Sequence, residues 1–239
     1  MKRGDEMVNS IVERYSRVNP LTETEIKIIR SAMKMFLAEG YTNTTFRGIA
    51  EDSGVKLGVI TYHFRSKDDL LFLLTEELMN CHTEIIEEIL TLEGDVLFTY
   101  ALEIAAQTAI CETNKNVWDL YHAIYSHMIT YEYIKSWAAR KNYNLFRERL
   151  PHWTESDFRE KEIVTSGIEL AALKTFCDKN FILDRKITVV LDSMLTLYGA
   201  TEEERQETIS KVLEYDYKKI GCKILKYLEK CHNGSEANN

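Results

Sequence analysis

The chain has 239 residues, which is enough for one large domain or two modest ones with a sizeable core. Hydrophobic residues make up 45% of it and charged residues 28%, and these ordinary globular proportions exclude a disordered or fibrous chain. Two prolines and ten glycines provide too few turn residues for a many-stranded β-sandwich or barrel. The composition therefore predicts a mostly helical protein.

Targeting and cysteine patterns point to an ordinary intracellular protein. No uninterrupted apolar stretch approaches the roughly 20 residues that cross a bilayer, and no apolar region follows Met1-Lys2-Arg3. We therefore expect a cytoplasmic protein that does not bind membranes.

The five cysteines are scattered and include no C-x-x-C pair, and no catalytic motif occurs, so we expect no catalytic residue, metal or cofactor.

Charge is distributed unevenly along the chain, whose formal net charge is −8. Residues 1–67 contain eleven Lys and Arg against eight Asp and Glu, whereas residues 68–239 contain 19 against 30. The first part therefore carries +3 and the second −11. Because phosphates are repelled by negative surfaces, this distribution predicts a small head that tolerates nucleic acid on a body that does not.

The first predicted helix begins at Thr22, because Thr22 and Glu25 have capping-box spacing, and it ends at Gly40. Two short helices follow, over residues 44–53 and 57–64, with a glycine in the turn between them. A longer helix followed by two short ones across such a turn has the dimensions of a helix-turn-helix.

A fourth, long helix is predicted to begin at Ser66 and to connect the head with the body, since Ser66 and Asp69 again have capping-box spacing. The rest of the chain shows helical periodicity throughout. Further helices are predicted near residues 95–112, 114–127, 130–149, 156–181, 186–199 and 202–230.

Residues 44–50, T-T-F-R-G-I-A, and residues 54–70, G-V-K-L-G-V-I-T-Y-H-F-R-S-K-D-D-L, resemble the amino-terminal DNA-binding domain of the TetR family of transcriptional regulators. The resemblance covers about residues 22–70. It implies an all-α protein with a three-helix helix-turn-helix head and a larger helical bundle that binds ligand and dimerises. The predicted parts are an amino-terminal extension at 1–21, the DNA-binding domain at 22–66, the ligand-binding and dimerisation domain at 67–232 and a flexible tail at 233–239.

The resemblance places the second and third helices against double-stranded DNA with a near-palindromic sequence. Thr45 and Arg47 would direct a hydroxyl, a guanidinium and free backbone N–H groups at a phosphate, and Gly58 would let the third helix approach the groove closely. The family usually has Ser at position 56 and Tyr at position 61, where this chain has Lys and Thr. The predicted DNA-binding residues are Thr45, Arg47, Lys56, Gly58, Val59, Thr61, Tyr62, His63 and Lys67.

Aromatic residues recur at helical spacing on the helices predicted between residues 95 and 149. A plain aromatic core is one explanation for them. However, Tyr and Trp carry polar tips that need partners when buried, so this many of them is more typical of a ligand cavity. The expected effector is a flat or elongated, largely apolar small molecule. The predicted ligand-binding residues are Tyr100, Gln107, Tyr121, Tyr125, Tyr133 and Trp137.

Two helices near residues 163–174 and 187–198 have apolar stripes that include small residues, which allow helices to approach closely. The family resemblance implies that these two helices pair with their copies as a four-helix bundle in a homodimer. The predicted interface residues are Gly167, Leu170, Ala171, Leu191, Met194, Leu195 and Tyr198.

The sequence thus predicts a homodimeric regulator, a repressor that a small effector releases from DNA by shifting the population of head separations. Two alternatives remain. One is a regulator that responds to a protein partner, which a body without an enlarged cavity would favour. The other is an all-helical enzyme or cofactor carrier.

Overall fold

The computed structural model describes residues 21–233, without the side chains of Glu93 and of residues 228–233. The predicted amino-terminal extension lies outside the described residues except for Leu21, and the predicted tail does so except for Asn233. None of the helices in the described range is both long and apolar enough to span a bilayer.

Residues 21–233 form eleven α-helices and no strand, which confirms the predicted all-α class. In chain order they are α1 (Glu23–Glu39), α2 (Phe46–Ser53), α3 (Leu57–His63), α4 (Lys67–Glu93), α5 (Val96–Thr113), α6 (Lys115–Ser126), α7 (Met128–Phe146), α8 (Glu155–Lys174), α9 (Leu183–Leu197), α10 (Glu202–Glu214) and α11 (Tyr217–Asn233).

The start of α1 is fixed by the predicted capping box. The Thr22 backbone N–H donates to Glu25 Oε2 over 2.9 Å, and the Glu25 N–H donates to Thr22 Oγ1 over 3.3 Å. Helices α1, α2 and α3 then enclose a small core of fully buried side chains. These include Ile28, Phe36, Ile49, Ile60 and Phe64. The predicted second and third helices are therefore present as a packed three-helix head.

The body is built around α5, which packs against α4, α6, α8, α9, α10 and α11. Ala101, Ala105, Ala106 and Ala109 are buried along it, and their small side chains let neighbouring helices come close. Helix α4 starts in the head and continues along the body, so it links the two physically.

The helix predicted over residues 156–181 is shorter than expected and ends at Lys174. The carboxylate of Asp178 accepts hydrogen bonds from the backbone N–H groups of Asn180 and Phe181, over 2.7 and 2.9 Å. This local turn competes with helical hydrogen bonding and forms the connection to α9.

The helix predicted over residues 202–230 is two helices. Helix α10 ends at Glu214, and α11 starts at Tyr217 after Asp216, whose carboxylate accepts the N–H of Lys219 over 3.1 Å. An Asp in this position satisfies a free N–H of a new helix, so it stabilises the break.

Helix α11 covers the body and also reaches α1 of the head. A Cβ added at Gly221 would lie 3.2 Å from the carbonyl oxygen of Ala106 on α5, so this close approach favours a glycine. An ion pair between Lys223 and Glu88, 2.7 Å long, connects α11 with α4.

Four predicted dimer residues are corrected by the structure. Leu191, Met194, Leu195 and Tyr198 have no exposed surface within a single protomer. They fill the core beneath α9, so they cannot present side chains to a second copy. The helical periodicity correctly identified which side of α9 is buried. That side packs against its own protomer and not against a second copy.

Replacing Leu191 with Ala is expected to lower the free energy of unfolding by about 2–5 kcal/mol, because it leaves a cavity in the protomer's core. Urea denaturation at two protein concentrations measures this. Leu92→Ala, at a 73% exposed residue of α4, is the control and should change stability by less than about 1 kcal/mol. An effect of Leu191→Ala on dimer dissociation alone would contradict the intramolecular assignment.

Candidate DNA-binding surface and interior cavity

Helix α3 presents side chains that no other part of the described chain covers. Tyr62 is 83% exposed and Val59 37% exposed, and Gly58 and Thr61 are also exposed. A Cβ added at Gly58 would meet nothing within 4 Å, so the helix surface is open there. These four predicted residues therefore share one accessible surface, and their contact with DNA stays a prediction.

The start of α2 lies beside this surface. Thr45 caps the helix by accepting the N–H of Gly48 over 3.1 Å, and the Arg47 side chain is exposed. The remaining N–H groups of the first turn and the guanidinium are therefore both available to an anion. At the start of α3, Lys56 makes no side-chain cap, as its lack of an acceptor predicts, and it is exposed.

Lys67 is the predicted DNA-binding residue that the structure reassigns. Its ammonium donates to the carbonyl oxygens of Tyr41 (2.5 Å), Thr44 (2.9 Å) and Thr42 (3.4 Å) and lies 4.1 Å from the centre of the Tyr41 ring. Burial lowers the pKa of this amine. Because all three N–H bonds are used within the protein, Lys67 anchors the loop between α1 and α2 and has no donor left for a phosphate.

His63 is partly buried, and its Nδ1 lies 3.0 Å from Oε1 of Glu25, the residue that completes the cap of α1. This contact ties the end of α3 to the start of α1. That His63 contacts DNA stays a prediction.

Two residues of α6 in the body, Asp119 and Asn116, also hold the loop between α1 and α2. Asp119 accepts both the N–H and the hydroxyl of Thr42, each over 2.7 Å, and Asn116 donates to the carbonyl of Ala38 over 2.6 Å. Gly40 has φ 85° and a Cβ there would lie 2.7 Å from the Asp119 carboxylate, so only glycine fits. Helix α6 therefore fixes the loop that leads into α2.

Four of the six predicted ligand-binding residues meet at one interior cavity. Tyr100, Gln107, Tyr125 and Trp137 line it, together with side chains from α4, α7 and α8. Tyr121 lies behind this wall and contacts it through His82, whereas Tyr133 lines a separate groove between α1 and α4.

The cavity also contains ionisable groups that the aromatic pattern did not reveal. Glu103 is buried and accepts from His82 Nδ1 over 3.0 Å and from the Lys141 ammonium over 2.5 Å. These partners outweigh burial and hold the pKa of Glu103 below its usual value. The His82 Nε2 lies 2.9 Å from the Tyr121 hydroxyl.

Two further carboxylates come from α8. Glu162 is buried and accepts from Asn142 over 2.8 Å and from Tyr198 over 2.7 Å, and Glu169 accepts a hydrogen bond from Tyr125. Burial raises the pKa of Glu162, and it raises the pKa of Glu169 to about 7.

The enclosed part of the cavity is small, with a volume of about 20 Å³. An adjoining groove between α4 and α7 is larger, at about 340 Å³, and Trp137 and Lys141 line both spaces. The enclosed space alone would favour the alternative of a protein partner. The groove, which is open to solvent, has by itself the volume of a small-molecule site.

Residues 28–74 match the model of a family described as bacterial regulatory proteins, tetR family. The chain is 35% identical over 79 residues to the HTH-type transcriptional regulator HbdR of Aromatoleum sp. (strain CIB), a match that covers 33% of each chain. It is 36% identical over 63 residues to the HTH-type transcriptional regulator TtgR of Pseudomonas putida, covering 26% of this chain and 30% of TtgR. The matches thus span about a third of these relatives.

The crystal structure of RolR in complex with resorcinol is similar over much more of the chain. The TM-score is 0.63 at 18% sequence identity, and the alignment covers 79% of this chain and 94% of RolR. At this identity the likeness establishes a shared fold for head and body together.

Replacing Lys67 with Met is expected to lower the free energy of unfolding by about 1–3 kcal/mol, because the loop carbonyls lose a charged donor. Thermal unfolding and amide exchange of residues 41–44 measure this. Lys56→Met removes an exposed ammonium from the same head and is the control. Equal stability of the two variants would refute the anchoring role.

Proposed function

We infer that this chain, whose residues 28–74 match the tetR family of bacterial regulatory proteins, is a DNA-binding transcriptional regulator that a small effector controls. The observation that carries the proposal is the uncovered surface of α3, with Tyr62, Val59 and Gly58 next to the free start of α2. Phosphate contacts from Arg47 and the α2 N–H groups would position the head, and α3 would contact base edges.

The proposed regulator acts as a homodimer through the outer side of α8 and α9. Ile163 and Val164 on α8 are 67% and 47% exposed, and Val189 on α9 is 54% exposed. Gly167 and Ala171 are exposed on the same helix, α8, whereas Leu170 is half-buried. An exposed apolar strip with small residues favours close pairing of these helices with their copies.

Effector control is proposed to run through α4 and α6. Helix α6 contributes Tyr125 at the cavity, Tyr121 behind its wall, and Asn116 and Asp119 at the head. A ligand that fits only one arrangement of α6 therefore favours one position of the loop before α2. To weaken DNA binding 100-fold, it must prefer the incompetent state by about 2.7 kcal/mol, and DNA must weaken the ligand equally.

Selection from a pool of random DNA duplexes tests DNA binding directly. We expect enrichment of an inverted repeat, because two symmetric heads contact two half-sites. Arg47→Gln should weaken binding to selected and unselected DNA alike and reduce the salt slope by about two, one phosphate for each head. Arg185→Gln, exposed on the body, is the control, and an enriched sequence without symmetry would contradict the dimeric model.

Placing Glu at both Ile163 and Val189 is expected to dissociate the dimer, because charges would be buried in the interface. Sedimentation velocity measures the mass, and DNA affinity should fall at the same concentrations. Leu92→Glu, at a 73% exposed apolar residue on α4, is the control. A double variant that remains dimeric would place the interface elsewhere.

A further inference from the structure

The interior cavity has more hydrogen-bond acceptors than the described residues around it can satisfy. The Asn142 side chain is 2% exposed and lines the cavity. Its amide nitrogen donates to Glu162 and Tyr198, over 2.8 and 2.9 Å, and this fixes which end is oxygen. The Oδ1 atom has no hydrogen-bond partner among the described residues. A buried acceptor without a donor is costly, so this atom is suited to a ligand that brings one.

The charged groups that line the cavity also favour a ligand that donates hydrogen bonds. Its walls contain three carboxylates, whereas the Lys141 ammonium and His82 both pair with Glu103. Within the described part of the chain, Glu162 and Glu169 have neutral hydrogen-bond partners, the Asn142 amide and the hydroxyls of Tyr198, Thr165 and Tyr125. Burial raises the pKa of both carboxyls, and the nearby charge of Lys141 offsets this only in part.

The groove beside the cavity provides room for the rest of a ligand. Ile86, Leu90 and Leu145 give it an apolar lining. Trp137 and Lys141 separate the groove from the cavity, with the ammonium 4.8 Å from the indole. Glu87, Arg140 and Lys141 also line the groove, and the charge of Lys141 is already paired with Glu103.

We propose that the effector is an organic cation, an amine or amidine on an apolar body, whose N–H groups reach Glu169, Glu162 and Asn142 while its body fills the α4–α7 groove. This inference rests on the proposed function, since it names the chemical class of the effector at the same site. Binding would replace neutral partners of the two α8 carboxylates with a charged one. It would also give the Asn142 oxygen its missing donor.

The test uses the full chain and three probes that share a phenyl ring: benzamidine, benzyl alcohol and benzoate. Titration calorimetry should show benzamidine binding at least about tenfold more tightly than the other two, as expected for a hydrogen bond to a charged group. At pH 7, measurements in two buffers of different ionisation enthalpy should show proton release, because the cation favours the ionised form of Glu169.

Glu169→Gln keeps the shape and an acceptor for Tyr125 but removes the charge. It should weaken benzamidine about tenfold, abolish the proton release and leave benzyl alcohol unchanged. Glu160→Gln, exposed on the same helix, is the matched control. Should Glu169→Gln fold poorly, the buffer-dependent calorimetry of the unmodified chain decides the matter.

Equal binding of benzyl alcohol, tighter binding of benzoate, or no benzamidine binding at all would overturn the cationic class. These results are separable from failure of the proposed function. A chain that selects an inverted repeat but ignores benzamidine is still a DNA-binding regulator, whereas one that selects no DNA is not.

Discussion

The body depends on one buried carboxylate, Glu103 in the middle of α5. It receives hydrogen bonds from His82 on α4 and Lys141 on α7, and His82 in turn contacts Tyr121 on α6. A single chain of polar contacts between buried side chains therefore joins four helices. Removing one member would leave a charge buried without its partner, at a cost of about 3–5 kcal/mol. The relative positions of these helices are consequently fixed by charge as well as by packing.

This network connects the interior with the two helices that lead to the head. Helix α4 contains Lys67 at its head end and His82 beside the cavity, and α6 contains Asp119 at the head and Tyr125 at the cavity. Both helices contact the same loop, between α1 and α2. The network around Glu103 is thus connected through two helices to the loop that leads into α2.

Much of the head could be predicted because its signals are local. The Thr22–Glu25 cap and the glycine turn after α2 depend on residues three or four positions apart. The role of Lys67 could not be predicted in this way, since its acceptor at Tyr41 is 26 residues away. The family resemblance placed Lys67 near phosphates, and only the fold shows that its donors are already occupied.

In the body, helical periodicity identified which sides of the helices are buried. It did not show whether they pack against the same protomer or against a second copy. Leu191 and Leu195 looked alike as candidates for intermolecular or intramolecular packing, because an apolar stripe has the same spacing in both cases. The aromatic residues located the cavity, whereas its electrostatic character came from Glu103, Glu162 and Asn142, whose partners lie on other helices.

Helix α9 has two independent sides. Leu191 and Met194 on the inner side are completely buried, whereas Val189 on the outer side is not needed to fill the core. Mutations on the outer side can therefore accumulate without unfolding the protomer. In a cell with several regulators of this fold, such freedom would let each copy evolve a surface that matches only itself, and mixed dimers with mismatched heads would be avoided.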